Sequence, residues 1–481
     1  MTTPLLCTTI TADTTDDLVR QRDAVLDTDL VELRLDTVAD PDPAAALAGR
    51  RHPAIVTCRA AWEGGSFRGS EDERLRILER ALALGAEYVD VEFKADYRRV
   101  MDATGGRRVV LSSHEFDRVP DDLHARAAAM RATGAEMVKI AARVNRLTDV
   151  LRLRQERANG TIIIGMGPAG LITRVLPGLF GSAWTYAGNL ASIGQVTAAT
   201  LLDLYRFRSL TPRTRIYGLT GSPIAHSVSP DMHNRAYAAL GLDAVYLPCP
   251  AADADDFLAF AEAVGIGGAS VTIPFKVPLF ERLDEVSDIA VRAGAINTIK
   301  REGTRWIGTN TDVAGFLAPL QARHTHFAGL RASILGAGGS ARAAALALSS
   351  VGASVTLHAR DARRAEVVAQ ELGARAASFP PAAGSWDLLV NCTPVGMHPN
   401  VTATPIEASH LTGAMVYDLI YNPVETRLLQ DARAMGADTI GGLDMLVAQA
   451  VEQIEWWTGV RPSGDIMRAA ALARLSEFRT E

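Results

Sequence analysis

Up to about residue 208 the chain repeats one unit, a short apolar, β-prone run followed by an amphipathic stretch rich in Ala, Leu and Arg. The runs are LLCTTI (5–10), LVELRLD (30–36), AIVTCRA (54–60), YVDVEF (88–93), RVVLSSH (108–114), EMVKIA (136–141), TIIIGMG (161–167) and AWTYAG (183–188). Repeated βα units of this kind surround a parallel sheet, and eight of them predict an α/β chain whose N-terminal part closes into a (β/α)8 TIM barrel. In that architecture the chemistry sits where strands end and βα loops begin. Glu32, Arg34, Arg59, His114 and Lys139 crowd those ends.

The 481 residues exceed what a single hydrophobic core serves. After LLDLYRFRSLTPRTR (201–215) the pattern restarts with IYGLTGSPIAHS, and Thr211-Pro212 punctuates the change. The sequence therefore predicts a barrel over 1–210, an αβ lobe over 211–318 and a closing helical stretch over 443–481, which the resemblance below implies completes a substrate-binding lobe. A Gly-rich βαβ unit predicts a Rossmann-type dinucleotide domain over 319–442, so that two lobes flank a cleft.

Hydrophobic residues make up 48% and charged residues 22%, the balance of ordinary globular proteins. A formal charge of -6 leaves no basic footprint for nucleic acid or an anionic membrane. Small molecules, anionic ones included, remain as the expected partners. The cysteines at 7, 58, 249 and 392 are too few and too dispersed for a zinc cluster or a disulfide scaffold, so reduced thiols and no metal are expected. MTTPLLCTTI has neither the basic n-region of a signal peptide nor an Arg/Ser-rich transit character. No run approaches the roughly 20 apolar residues that cross a bilayer. A cytoplasmic setting is expected.

Lys139, in the middle of EMVKIAARV, is expected to place an amine among apolar neighbours, where burial disfavours its charged form and leaves a nucleophile. Such a Lys attacks ketones, and the iminium it forms acidifies the adjacent C–H. Read alone, a strand Lys more often snorkels to the surface or pairs with a carboxylate. The context argues otherwise. SSHEF puts His114 at the end of the neighbouring strand, with a pKa expected to suit proton transfer near neutrality. Together with VELRLD, RAAWEGG and GPAGLITRVLPGLFGSAWTYAGNLASIGQ, this resembles type I 3-dehydroquinate dehydratase across about 200 residues. The resemblance implies that Lys139 forms the Schiff base, that His114 takes a C2 proton and helps water leave from C1, and that Glu63 orients His114. It further implies Glu32, Arg34 and Arg59 on the ring hydroxyls, and Arg174, Ser192 and Gln195 around the substrate carboxylate. Arg forks suit carboxylates because they bind them bidentately. One departure stands out: the family usually reads Ser-Ala-Pro-Gly-Gln where this chain has Ser192-Ile193-Gly194-Gln195, one residue shorter.

ASILGAGGSARAAALALSSVGASVTLHARDARRAE reads strand, Gly-rich turn, helix and second strand, the context that a dinucleotide fingerprint requires. Gly336, Gly338 and Gly339 let the backbone approach a pyrophosphate at a helix N-terminus. An acid at the end of the second strand would bind the NAD ribose, whereas Arg accommodates the NADP 2′-phosphate. Arg360 stands there and Arg364 follows one helical turn on, so NADP is the expected cofactor. Asp361 remains open between capping the next helix and contacting a ribose hydroxyl, which would admit NAD.

GSPIAHSVSPDMHNRAY, GASVTIPFK, GAINTI, GTNTDVAGF, NCTPVGM, YDLIYNP and GGLDMLVAQA follow one another in an order that resembles shikimate dehydrogenase over about 265 residues. The resemblance implies Ser227, Ser229, Thr272, Asn297, Tyr421 and Gln449 around shikimate, and Lys276 with Asp312 at the reacting oxygen. It adds Ala337, Ser340, Thr393, Leu419 and Gly442 to the cofactor site. Hydride delivery to a ketone leaves an alkoxide that needs a donor and a proton source, and a lysine supplies both. Ser270 stands where many members carry Asn and Pro394 where Ser is common. Ser270 keeps a hydroxyl able to replace one amide hydrogen bond.

The two resemblances share an intermediate, since the ketone 3-dehydroshikimate leaves the first reaction and enters the second. The expected function is therefore a two-reaction step of the shikimate pathway: dehydration of 3-dehydroquinate, then NADPH-dependent reduction to shikimate. Two other readings are distinguishable. A quinate-using catabolic fusion would accept the extra C1 hydroxyl and prefer NAD, whereas the paired serines of HSVSP favour shikimate. A non-catalytic sensor of pathway intermediates need not keep Lys139, His114, Lys276 and Asp312 together.

Overall fold

In the computed structural model, which describes residues 3–478, each of the eight apolar runs forms a strand buried on both faces, as parallel strands wrapped by helices must be. They are β1 (Leu5–Ile10), β2 (Leu30–Arg34), β3 (Ala54–Thr57), β4 (Tyr88–Glu92), β5 (Val109–Glu115), β6 (Met137–Arg143), β7 (Thr161–Met166) and β8 (Trp184–Ala187). The sheet order is β7-β6-β5-β4-β3-β2-β1-β8. Each registered pair is parallel. A bridge from Thr161 to Ser182 and a hydrogen bond from the Ala183 amide to the Thr161 carbonyl bring the last strand back to β7, so the barrel is nearly closed.

Register decides which side chains share the interior. Glu92, Ser112 and Lys139 are successive partners across β4, β5 and β6. With a side-chain period of two, Asp90 lies on the same face of β4 as Glu92, and His114 on the same face of β5 as Ser112. The outer helices reinforce this layer. Ser70 and Glu73 form a reciprocal capping box at the start of the helix Glu71–Ala83, which satisfies orphan amides and fixes where that helix begins. Arg74 in its first turn, 1% exposed, then reaches Glu92 at 2.6 Å and the Cys58 carbonyl at 2.8 Å.

The remaining strands build two six-stranded sheets. The first contains β9 (Arg215–Thr220), β10 (Ala244–Cys249), β11 (Ile266–Val271), β12 (Glu285–Val286), β13 (Thr298–Glu302) and β14 (Arg305–Thr309), in the order β10-β9-β11-β13-β14-β12. It is mixed: β9 and β11 are parallel, while β13 runs antiparallel to both β11 and β14. The second contains β15 (Arg331–Leu335), β16 (Ser354–His358), β17 (Arg375–Ala377), β18 (Leu388–Asn391), β19 (Met415–Asp418) and β20 (Asp438–Ile440), in the order β17-β16-β15-β18-β19-β20. Its pairs are parallel. The order reverses between β15 and β18, and that switch point is where open α/β sheets bind dinucleotides. The helix Gly339–Ser350 packs beside it through Ala341, Ala343, Ala344 and Ala345, all fully buried, whose small side chains permit a close approach.

The chain divides into two compact units, one holding the residues through Thr214 with Leu247–Gly265, the other Arg215–Tyr246 with the residues from Ile266 on. Among the described residues, no helix is long and apolar enough to cross a membrane, and no three His, Cys, Asp or Glu side chains gather as a metal site. The four cysteines are free.

Candidate active sites

A cavity of about 200 Å³ in the barrel is lined by Glu32, Arg34, Arg59, Glu63, His114, Lys139, Arg174, Ser192 and Gln195, the nine residues that the sequence singled out there. Lys139, 6% exposed, places Nζ 3.1 Å from Asp90 Oδ2 and 3.6 Å from Glu32 Oε1. The expected apolar surroundings are thus corrected. Asp90 and Glu92 come from the same β4 run, and because side chains alternate, two acids two residues apart enter the barrel together. Both are fully buried and both hold Arg59, each at 2.9 Å, while Ser112 accepts a third hydrogen bond from Arg59 at 2.8 Å. These cations hold the Asp90 carboxyl below the usual carboxylate range against its burial. Glu32 also accepts from Thr9 at 2.8 Å and from Thr57 at 2.9 Å, and Arg34 forks onto Asp36 with two 2.8 Å bonds.

Glu63 reaches His114 from the WEGG turn, which the local backbone makes possible. A Cβ on Gly65 would lie 2.0 Å from the Arg59 carbonyl oxygen, so only glycine lets the turn fold back there. Glu63 Oε1 accepts the His114 backbone N–H at 2.9 Å and lies 3.0 Å from His114 Nδ1. With a carboxylate as acceptor, Nδ1 carries the ring proton and Nε2 is left free. Burial pushes the Glu63 carboxyl up to about 7, with the positive charge of Arg59 acting against it. Burial, reinforced by the charges of Arg59 and Lys139, holds His114 well below its usual range, a correction to the near-neutral value expected from sequence.

Arg174 is 1% exposed and has no carboxylate partner among the described residues; its fork donates only to the carbonyls of Tyr186 at 3.2 Å and Ile193 at 3.3 Å. Desolvation alone pulls its pKa down to about 10. A buried guanidinium without a counter-charge is costly by itself and suits an anionic ligand. In the shortened loop, Ala191–Ile193 makes one 3-10 turn. Gln195 then accepts the Leu190 amide at 3.1 Å and donates to Thr9 at 3.3 Å, while Ser192 is exposed on the rim.

In the second unit, Lys276 Nζ lies 2.5 Å from Asp312 Oδ2. Asn297 Nδ2 donates to the other Asp312 oxygen at 2.7 Å and approaches Gln449 Oε1 at 3.4 Å, so Lys276, Asp312, Asn297 and Gln449 form one cluster. Asp312 opens the helix Asp312–Gln321, with its amide bonded to Asn310 Oδ1 at 3.0 Å. The Ser229 amide at the start of the helix Ser229–Ala239 donates to Ser227 Oγ at 3.2 Å. Thr272 follows β11, its amide on the Thr220 carbonyl at 2.9 Å. Tyr421 is half-buried against the apolar cluster that includes Leu443 and Val447, and no hydrogen bond joins it to Lys276 or Asp312. Ser270 is engaged elsewhere: it accepts from Tyr246 at 2.6 Å and donates to Gln453 at 2.8 Å.

The strand-turn-helix at β15 fits a dinucleotide. Gly336 has φ 113°, and a Cβ there would lie 3.3 Å from the Cys392 carbonyl oxygen, so the fold itself demands glycine. At Gly338 and Gly339, where the helix begins ahead of Ser340, a Cβ would meet no protein atom within 4 Å. No protein packing requires those two glycines, whereas close approach of a pyrophosphate does. Arg360 and Arg364 are exposed beyond β16, and Asp361 accepts the Arg364 amide at 3.1 Å as the cap of the helix Ala362–Leu372. Thr393 is tethered by two bonds to Asn391 Oδ1, at 3.0 Å from its amide and 2.7 Å from its hydroxyl. Asn391 donates in turn to the buried Asp418 at 2.9 Å. Leu419 follows β19, and Gly442 packs against the Leu419 carbonyl, where a Cβ would lie 2.2 Å from the oxygen.

Sequence reasoning missed Asp90, Glu92, Asn391 and Asp418. The signal for the first two was present in YVDVEF, where acids at alternating positions of an apolar strand must face one side together.

Residues 6–212 match the family model of type I 3-dehydroquinase, 219–299 that of the shikimate dehydrogenase substrate binding domain, and 442–472 that of the shikimate 5'-dehydrogenase C-terminal domain. The chain is 44% identical to a shikimate dehydrogenase (NADP(+)) of Symbiobacterium thermophilum, over 54% of this chain and 95% of that one. It resembles the crystal structure of shikimate 5-dehydrogenase from Thermus thermophilus in complex with NADP(H) and shikimate, with a TM-score of 0.51 and 36% identity over 54% of this chain and 99% of that one. Against the chloroplastic bifunctional 3-dehydroquinate dehydratase/shikimate dehydrogenase of Arabidopsis thaliana it is 34% identical over 95% of its own length and 82% of the relative's. Identity at that level, carried through the barrel and both dehydrogenase lobes, means that the chain belongs to the bifunctional 3-dehydroquinate dehydratase/shikimate dehydrogenase family.

Proposed function

We propose that this chain dehydrates 3-dehydroquinate to 3-dehydroshikimate in its barrel and reduces that ketone to shikimate with NADPH in its second unit. The observation that carries the reading is one cavity lined by a buried amine, an imidazole held by a carboxylate, and a buried guanidinium without a counter-charge.

Lys139, paired with Asp90, gives up one ammonium proton to the substrate carbonyl oxygen as the lone pair so freed forms the new C–N bond. A second proton passes from nitrogen to that oxygen, which leaves as water, and the nitrogen keeps its last proton in a protonated imine that withdraws electrons from C2. His114 is neutral at physiological pH because its pKa is depressed, so its free Nε2 accepts the C2 proton. Glu63 faces the imidazolium that results, and the same proton leaves on the C1 hydroxyl as water. Hydrolysis of the imine releases 3-dehydroshikimate. Arg174 binds the substrate carboxylate with Ser192 and Gln195 on the rim, and Glu32, Arg34 and Arg59 meet the ring hydroxyls. Asp90 serves as the standing counter-charge to Lys139.

In the second unit the Gly336–Ser340 turn would hold the pyrophosphate of NADPH, with Arg360 and Arg364 on its 2′-phosphate and Thr393, Leu419 and Gly442 along the remainder. When bound, NADPH supplies the hydride. Lys276, oriented by Asp312, gives its proton to the oxygen as alkoxide charge develops there. Ser227, Ser229, Thr272, Asn297, Tyr421 and Gln449 position the ring. The test is borohydride added together with 3-dehydroquinate, which is expected to inactivate the dehydratase irreversibly and to leave a reduced adduct on the Lys139 peptide by mass spectrometry. A modified peptide lacking Lys139, or no adduct, would overturn the assignment.

A further inference from the structure

Tyr186 lies on β8, paired with Cys7 of β1, and faces the barrel cavity. Its ring, 3% exposed, lies under Lys139, with Nζ 4.2 Å from the ring centroid. The amine is also met by Asp90 at 3.1 Å, and the other Asp90 oxygen is committed to Arg59 at 2.9 Å and to Ser112 at 2.6 Å. The buried hydroxyl of Tyr186 makes no hydrogen bond to Lys139, Asp90 or Glu32, so no bond through that group explains how the ring is used. What the residue offers the amine is its negative π face, with both groups buried, where cation–π attraction is stronger than at an exposed site.

We propose that the Tyr186 ring is a further catalytic group of the barrel, stabilising through its π face the positive nitrogen that Lys139 carries as a protonated imine. This rests on Lys139 being the imine former. Only the protonated imine withdraws electrons from C2, and a neutral one would leave that C–H too weakly acidic for His114. Asp90 already divides its charge with Arg59, so the ring supplies a second, proton-inert stabiliser that cannot neutralise the nitrogen by taking its proton.

The test uses the full chain carrying Phe, monofluoro-, difluoro- or trifluorophenylalanine at position 186. These rings are close in shape, while each fluorine weakens the negative face. The rate of borohydride inactivation with 3-dehydroquinate and the dehydratase kcat are expected to fall stepwise along the series, roughly tenfold from Phe to the trifluoro ring, with KM nearly constant. Tyr186→Leu should lose at least as much, and Tyr186→Phe should recover most of that loss. An unchanged circular dichroism spectrum and the nearly constant dehydratase KM report that the barrel is folded. A flat response across the series, with that spectrum and KM unchanged, overturns the role of the ring. Absence of any adduct on Lys139 in the unsubstituted chain is a separate result, and overturns the imine reading beneath it.

Discussion

Burial pushes Glu63 up to about 7 and holds the imidazole it touches well below the usual histidine range, so these two residues are expected to set the pH behaviour of the barrel. Because the fold favours protonated Glu63, the stability this group contributes is fully present below its ordinary value of 4.5 and is lost as pH rises through about 7. Glu63→Gln is therefore expected to stabilise the barrel at pH about 8, by up to about 3 kcal/mol, seen as slower hydrogen exchange in its strands. The same substitution should lower the dehydratase kcat by about a hundredfold, because an amide cannot hold the imidazolium as a carboxylate does. In the unsubstituted protein kcat/KM is expected to fall as pH drops through about 7, where Glu63 takes up its proton. That limb should vanish in Glu63→Gln. If it persists, another group titrates there and the role given to Glu63 is wrong.

At the scale of elements, the strand-turn-helix from Arg331 to Leu372 carries Arg360, the proposed cofactor contact, beside Asp361, the cap of its last helix. Arg360→Ala is expected to weaken NADPH binding by about 1.5–3 kcal/mol, the worth of a charged hydrogen bond, while NADH is little affected. Asp361→Ala should cost about 1 kcal/mol of stability as a lost N-cap and leave the preference between the two cofactors unchanged. Comparison of KM for both cofactors checks each expectation, and equal loss of NADPH and NADH in Arg360→Ala would remove it from the phosphate site. The eight barrel strands were legible because a parallel strand buried on both faces reads as a mostly apolar run, and the dinucleotide turn was legible because Gly336 has no substitute at φ 113°. The electrostatics of the barrel were less so. Lys139 reads as an isolated amine in EMVKIAARV, and only register across β4, β5 and β6 brings Asp90 to it and places Glu92 in its layer. Ser270 shows the same limit: its partners Tyr246 and Gln453 lie 24 and 183 residues away, beyond any local pattern.

For the whole molecule, the central claim is that one chain carries two consecutive reactions at two sites, the product of the first being the substrate of the second. Both lysines proposed as catalytic are legible from short motifs, yet neither motif says that the sites work independently. Sites on separate units should fail separately when substituted one at a time. The most direct measurement follows NADPH oxidation and the ultraviolet absorbance of the 3-dehydroshikimate enone in the Lys139→Ala and Lys276→Ala chains. Lys139→Ala is expected to stop NADPH oxidation from 3-dehydroquinate while leaving it nearly intact from 3-dehydroshikimate. Lys276→Ala is expected to accumulate the enone from 3-dehydroquinate with steeply reduced NADPH oxidation from either substrate, and mixing the two proteins should restore the sequence by diffusion of the intermediate. Loss of 3-dehydroshikimate reduction in a folded Lys139→Ala chain would contradict the account.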